Sequence, residues 1–184
     1  MNVLFINACV RKESRTKILA DYLLEKIGGK VTEINLGKDL PQPFDEKMLL
    51  KRNELIKKEA FDDEMFLYAR QFAEADIIVI AAPFWDFSFP AVFKAFIEHV
   101  NVSGLVFKYT ASGIETLCKA KTLYYVTTMG GYNPVDYGFG YVKALCETLY
   151  GIKNVRLIKA EGLDIVGNDV NAILAAAKKE IDLI

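Results

Sequence analysis

The chain has 184 residues, about half of them apolar and a quarter charged, with a formal net charge of −1. That length suits one domain with a substantial core, and the interspersed charges argue against a nucleic-acid groove or a polybasic membrane face. No apolar run approaches the ~18 residues of a membrane span, and Met1 leads straight into a strand pattern rather than a signal sequence.

Asn2 to Asn7 reads as a first apolar strand, followed by a loop from Ala8 to Arg15. A helix starts near Ser14 to Thr16, with Ile18, Leu19, Tyr22, Leu23 and Ile27 at helical spacing, and Gly28-Gly29 stops it. Val31 to Leu36 is a second strand. The segment 37–58 holds Pro41, Pro43, Phe44, Met48, Leu49 and Leu50 among many charges. It reads as a loop with a short helix, suited to a lid or a subunit contact. Asp62 to Glu74 is a helix feeding the central strand, Ile77 to Ala82, whose unbroken β-branched run suits burial on both faces. Pro83 ends that strand, and Pro90 sits where a first helical turn accepts proline. The helix to Val100 turns Ala91, Phe93, Ala95, Phe96 and Ile97 inward.

Gly104 to Gly113 reads as a connection carrying Phe107 and Tyr109. Thr122 to Thr127 is a fourth strand, and a helix from about Asp136 to Tyr150 follows it, with Val142, Leu145, Cys146 and Leu149 inward. Val155 to Ala160 is a fifth strand and Val170 to Ile184 a closing helix. The alternation predicts one α/β domain over 1–184, a doubly wound parallel sheet with helices on both faces and right-handed crossovers. The expected strand order is 2-1-3-4-5, the flavodoxin-like arrangement. The loops after strands one, three and four then converge on one rim, where open α/β sheets bind ligands.

Each of those loops has its own chemistry. The first, Ala8 to Thr16, opens a helix with Ser14 and Thr16 hydroxyls and the cations Arg11 and Arg15, a seat for an anion at a helix start. Taken alone it also reads as an ordinary Ser14 N-cap with solvated arginines. It lacks the dinucleotide glycine pattern and the Walker ending, which argues against an ordinary Rossmann NAD site or an NTPase. The second loop, Phe84-Trp85-Asp86-Phe87-Ser88, offers flat apolar surfaces for a planar ring, one of which belongs to core packing. In the third, Thr128-Met129-Gly130-Gly131-Tyr132, the glycines let backbone amides come close to a ring, although a glycine pair is equally an ordinary turn. Together they suit a flavin mononucleotide.

Pro83-Phe84-Trp85-Asp86-Phe87 followed by a helix with Lys94, the segment Gly104 to Gly113, Thr128-Met129-Gly130-Gly131 and Ser14-Arg15-Thr16 resemble, in order along nearly the whole chain, the FMN-dependent NADH-azoreductase and NAD(P)H:quinone oxidoreductase family. The resemblance implies FMN with its phosphate at Ser14, Arg15 and Thr16, and its ring against Phe84 to Phe87 and Thr128 to Gly131. It implies a ping-pong cycle in which NADH or NADPH donates a hydride and a quinone, azo or nitroaromatic acceptor takes the electrons. No side-chain nucleophile is needed; the Gly130 and Gly131 amides would stabilise charge on the reduced ring. It also implies a homodimer with the active site at the interface, so Phe44, Phe107 and Tyr109 are expected as pocket or dimer walls. Cys9 stands where the family usually has serine, and Asp86 where it commonly has asparagine.

Cys9, Cys118 and Cys146 are odd in number and widely spaced, which reads as reduced thiols in a cytoplasmic protein. Cys9 is either a redox-sensitive thiol or a small buried residue. His99, the only histidine, falls more than ten ångströms along its helix from the ligand rim and gets no catalytic role. Tyr132 and Asp136 are expected as pocket neighbours. The competing reading is a flavodoxin-type electron carrier or a flavin-binding redox sensor without efficient turnover.

Overall fold

A computed structural model describes residues 1–133, Val135 and residues 137–184. In chain order the elements are β1 (Asn2–Asn7), α1 (Arg15–Ile27), β2 (Lys30–Asn35), α2 (Glu46–Lys57), α3 (Leu67–Glu74), β3 (Ile77–Ala81) and α4 (Ala91–Val100). There follow β4 (Phe107–Thr110), β5 (Gly113–Thr116), β6 (Thr122–Thr128), α5 (Tyr137–Leu145), β7 (Asn154–Ala160) and α6 (Val170–Ile181). A 3₁₀ turn, Glu64–Phe66, leads into α3, and a π turn, Cys146–Tyr150, closes α5.

The main sheet runs β2-β1-β3-β6-β7 with every pairing parallel. Since β6 and β7 are its fourth and fifth strands, this is the expected 2-1-3-4-5 order. Successive side chains of a strand point to opposite faces, and β1 supplies both cores. Val3 and Phe5 pack with Leu19, Leu23, Ala177 and Ile181 of α1 and α6, whereas Leu4 and Ile6 pack with Phe72, Phe93 and Phe96 of α3 and α4. Gly28 ends α1 at a left-handed φ of 65°, its amide bonded to Leu24 O, a conformation that glycine adopts without a Cβ penalty.

Two elements differ from expectation. The connection after α4 contains an antiparallel hairpin, β4 against β5. Its strands are four residues long, and only Phe107 among them is buried, so no alternation marks them in the sequence. The helix expected to be short, α2, has twelve residues and is capped by Asp45, which accepts from Met48 N at 2.7 Å. None of its residues is fully buried, so its hydrophobic periodicity is weak. Asp136, expected as a helix start and pocket neighbour, lies outside the described residues.

Candidate functional site

The carboxyl ends of the central strands are laced by backbone bonds: Ala8 N to Ala81 O (2.9 Å), Ala82 N to Val126 O (3.0 Å), Phe84 N to Thr128 O (3.2 Å) and Met129 N to Ala160 O (2.9 Å). Beyond these bonds the loops open into a cleft of about 520 Å³. Its walls are Val10, Arg11, Glu13, Ser14, Arg15, Thr16 and Ile18 from the first loop and α1, Pro83, Phe84 and Trp85 from the second, and Thr128, Met129 and Gly130 from the third. The structure thus brings together three segments that the sequence singled out separately.

At the α1 end, Ser14 is a true N-cap, its hydroxyl accepting from Lys17 N at 3.3 Å. The amides of Arg15 and Thr16 have no acceptor among the described residues. Arg11 and Lys12 are exposed and lack an ion pair among those residues. Unpaired N–H groups and uncompensated cations at the positive end of a helix dipole favour an anion. Thr16 is buried and shares a 2.7 Å hydroxyl bond with Thr128, fastening α1 to the end of β6.

Arg15 is used otherwise. Its guanidinium donates to Asp164 Oδ1 at 2.7 Å and to Leu163 O at 3.3 Å. Leu163 and Asp164, which also line the cleft, belong to the loop after β7, which sequence reasoning missed. The available signal was Gly162 shortly after the fifth strand, which holds a φ of 75°. Cys9 lies behind the first loop rather than in the cleft wall: its amide bonds Asn7 Oδ1 at 3.0 Å and its Sγ approaches Ala81 O at 3.7 Å. Burial pushes its thiol up to about 11 against the opposing pull of Ser14 and Lys17, so it is neutral at physiological pH.

The aromatic loop is a tight turn. Trp85 N donates to Ser88 O and Ser88 N to Trp85 O, at 3.1 and 2.8 Å, around Asp86 and Phe87, whose φ values are 48° and 67°. Two successive left-handed residues are the mark of a type I′ turn, normally given to Asn-Gly. Each costs a non-glycine residue ~1–2 kcal/mol. The turn leaves Trp85 38% and Phe87 58% exposed. Phe84 and Trp85 face the cleft, while Asp86 and Phe87 form the tip, with Phe87 edge-on to Phe84 at 6.4 Å.

Gly131 and Tyr132 stand just past the cleft wall, the Tyr132 hydroxyl accepting from Asn168 at 3.3 Å. Phe44, Phe107 and Tyr109 are not in the cleft of this chain. Phe44 stacks on His99 at 4.4 Å, and Tyr109 is exposed on the hairpin against buried Phe107. His99 bonds Gln42 O through Nε2 at 2.8 Å, near the opposite end of α4 from Pro90.

A doubly wound sheet with an anion seat and an aromatic turn at its switch point defines a flavodoxin-like protein. A family described by its flavodoxin-like fold matches residues 1–183. The FMN-dependent NADH:quinone oxidoreductase 2 of Clostridium acetobutylicum is 36% identical over 94% of this chain and 92% of its own length. The FMN-dependent NADH:quinone oxidoreductase of Lachnoclostridium phytofermentans is 34% identical over 99% and 96%. Among solved structures, azoreductase AzrA aligns over 98% of this chain and 97% of its own, with a TM-score of 0.84 and 25% identity. The chain belongs to the FMN-dependent NADH:quinone oxidoreductase family.

Proposed function

We propose that this protein is an FMN-dependent NADH:quinone oxidoreductase. The observation that carries the reading is the convergence of the α1 start, the Phe84-Trp85 wall and Gly130 on one cleft. Its volume falls within the ~300–1,000 Å³ of small-molecule sites. The residues fit the cofactor. The unpaired amides of Arg15 and Thr16, the Ser14 and Thr16 side chains and Arg11 suit a phosphate. Pro83, Phe84 and Trp85 suit a planar ring system, and Met129 and Gly130 carry backbone close to it. When bound, the flavin supplies two-electron chemistry, taking a hydride from NADH or NADPH and reducing a quinone, azo or nitroaromatic acceptor in a ping-pong cycle.

The chain's own part is to bind, orient and polarise. The laced strand ends fix the three loops relative to one another. The Gly130 and Gly131 amides have no acceptor among the described residues and are available to negative charge on the reduced ring. Exposed Trp85 and Phe87, with Asp86 at the tip, leave a surface on which donor and acceptor can stack.

Val10, Ile18, Tyr132, Tyr137, Ile165 and Val166 also expose large apolar side chains on and around this rim, which supports a homodimer closing over it. In that assembly the 37–58 segment and the exposed Tyr109 serve the partner's cleft rather than their own, with Phe107 packed beneath Tyr109 in its own core. Three free, buried cysteines suit a cytoplasmic setting, and no helix among the described residues is long and apolar enough to cross a membrane.

The test is a visible spectrum of the protein with FMN, followed by anaerobic NADH and then menadione. Flavin bands that bleach with NADH and return with the quinone are expected. Bound flavin that NADH leaves oxidised would make the protein a carrier or sensor, and absence of flavin binding would refute the reading.

A further inference from the structure

We propose that Asp164 is a positioning residue for the ring end of the cleft: paired with Arg15, it holds the Met129–Gly131 segment so that the Gly130 amide stays presented to the flavin. This rests on the flavin reading above and adds a residue to it. The carbonyls of Met129, Gly130 and Gly131 are all taken from one side, by Leu163 N (3.1 Å), Asp164 N (2.9 Å) and Gly162 N (3.0 Å). Their amide direction is therefore set by the loop after β7. That loop begins on the buried Leu163, which packs in the core with α1 and α6, but its remainder is rim, Val166 being 99% accessible, and is tied down by polar anchors.

One anchor is Asn168 on Gly162 O at 2.8 Å. The other is Arg15, which grips both Asp164 Oδ1 and Leu163 O from the first turn of α1. The Asp164 carboxylate also lies across Gly130. A Cβ added there would stand 2.5 Å from Oδ2 and 3.3 Å from the Asp164 Cβ, so any larger residue would push the carboxylate aside. Arg15, Asp164 and Gly130 thus form a chain of contacts from the start of α1, where the anion seat is, to the backbone that meets the ring. A guanidinium spent on Asp164 is also one the phosphate does not need, since the exposed Arg11 and the helix amides remain for it.

The experiment compares the FMN-loaded wild type with Asp164→Ala, Arg15→Met, the double variant and Asp164→Glu. It reads the affinities for FMN and for riboflavin and the midpoint potential of the bound flavin. In Asp164→Ala and in Arg15→Met the affinity for reduced relative to oxidised flavin should fall about tenfold, a drop of about 30 mV for a two-electron couple. The double variant should fall no further than either single one, Asp164→Glu should recover part of the loss, and riboflavin should be affected as much as FMN. An unchanged potential in both single variants would overturn the proposal, as would a potential that rises in Asp164→Ala and falls in Arg15→Met, the signature of each charge acting directly on the ring. So would an Asp164→Ala protein that tightens on FMN but not on riboflavin, since Asp164 would then only mask Arg15 from the phosphate. The pair is exposed, so the variants should fold; should Asp164→Ala fail to, Arg15→Met carries the same reading. A wild type that takes up no FMN overturns the functional reading itself, whereas bound flavin indifferent to these substitutions overturns this inference alone.

Discussion

Two regions of this molecule are built from the same kinds of side chain and use them in opposite ways. Around His99, Phe44 stacks on the imidazole, Tyr68 meets it edge-on at 6.2 Å, and Arg52 lies 5.2 Å from the Phe44 ring. His99 bonds Gln42 O, Tyr68 donates to Asp39 O and Arg52 donates to Asn101 O. These bonds hold the segment after β2 against α3 and α4, while the buried Arg52 Nε has no partner among the described residues. At the cleft, aromatic rings stand on a strained turn in solvent, helix amides lack acceptors and Arg11 lacks a counter-ion among the described residues. Residue type alone does not separate the two. What separates them is where the open donors face: at the cleft they are turned toward solvent beside a turn of two successive left-handed residues, whereas in the clasp the open donor, Arg52 Nε, is buried.

The comparison breaks most visibly at His99. His99→Ala removes a buried ring, its stack with Phe44 and the partner of Gln42 O. A loss of about 3 kcal/mol is expected from the cavity and the lost hydrogen bond together, read from urea unfolding, with FMN affinity unchanged. A variant of full stability that binds FMN poorly would move the clasp into the site.

Cys9 sharpens the boundary from the cleft side. Its folded pKa of about 11 lies above the 9.0 of a free thiol because burial disfavours the thiolate. The stability it contributes is therefore complete below pH 9 and is lost as the pH rises from 9 through 11, since the unfolded chain ionises first. At pH 10 its share of the loss is about 1.4 kcal/mol. Cys118 and Cys146, pushed by burial to about 12, add losses of the same sign. Urea midpoints of wild type and Cys9→Ser at pH 8 and pH 10 isolate the share. An equal pH dependence in both proteins would mean that the Cys9 thiol is open to solvent rather than packed behind the loop.

These contrasts explain what could be read in the sequence. The sheet order followed from buried β-branched runs such as Ile77 to Ala81, because a strand covered on both faces carries its burial in its composition. The three loops followed from topology, since strand ends at a switch point converge whatever their residues. The fourth wall did not, because Leu163 and Asp164 act through backbone bonds to Met129 and Gly130 and through an ion pair to Arg15, 149 positions away. Arg15 for the same reason reads as a phosphate cation in the sequence, which gives no sign of the Asp164 pairing that the structure shows. The β4–β5 hairpin and the length of α2 were hidden because both are largely exposed, so hydrophobic periodicity had little to report.

A smaller effect separates glycine used for space from glycine used for a turn. Gly130 does not have a positive φ; it is required because Asp164 occupies the space where its Cβ would go. Gly130→Ala must displace that carboxylate from its place beside Arg15. About fivefold weaker FMN binding, roughly 1 kcal/mol, is expected from equilibrium titration. Gly131, with nothing near its missing Cβ, should accept alanine with a much smaller change. Equal losses at the two positions would mean that the loop's general flexibility, and not the Asp164 contact, sets the affinity.

The smallest expected effect has the opposite sign. Phe87 holds a φ of 67° at the second central position of its turn, where an L-residue is strained by ~1–2 kcal/mol and glycine is not. Part of that relief is offset by the larger backbone freedom of glycine in the unfolded chain, ~0.5–1 kcal/mol. Phe87→Gly should therefore stabilise the fold by about 0.5 kcal/mol in urea unfolding, since the ring is 58% exposed and loses little packing. The same substitution removes the ring that packs edge-on against Phe84 and should raise KM for a planar acceptor. Gain of stability with loss of acceptor affinity is what a strained functional turn predicts. A destabilised Phe87→Gly protein with unchanged KM would instead make Phe87 a packing residue, and the turn would then belong with the His99 cluster.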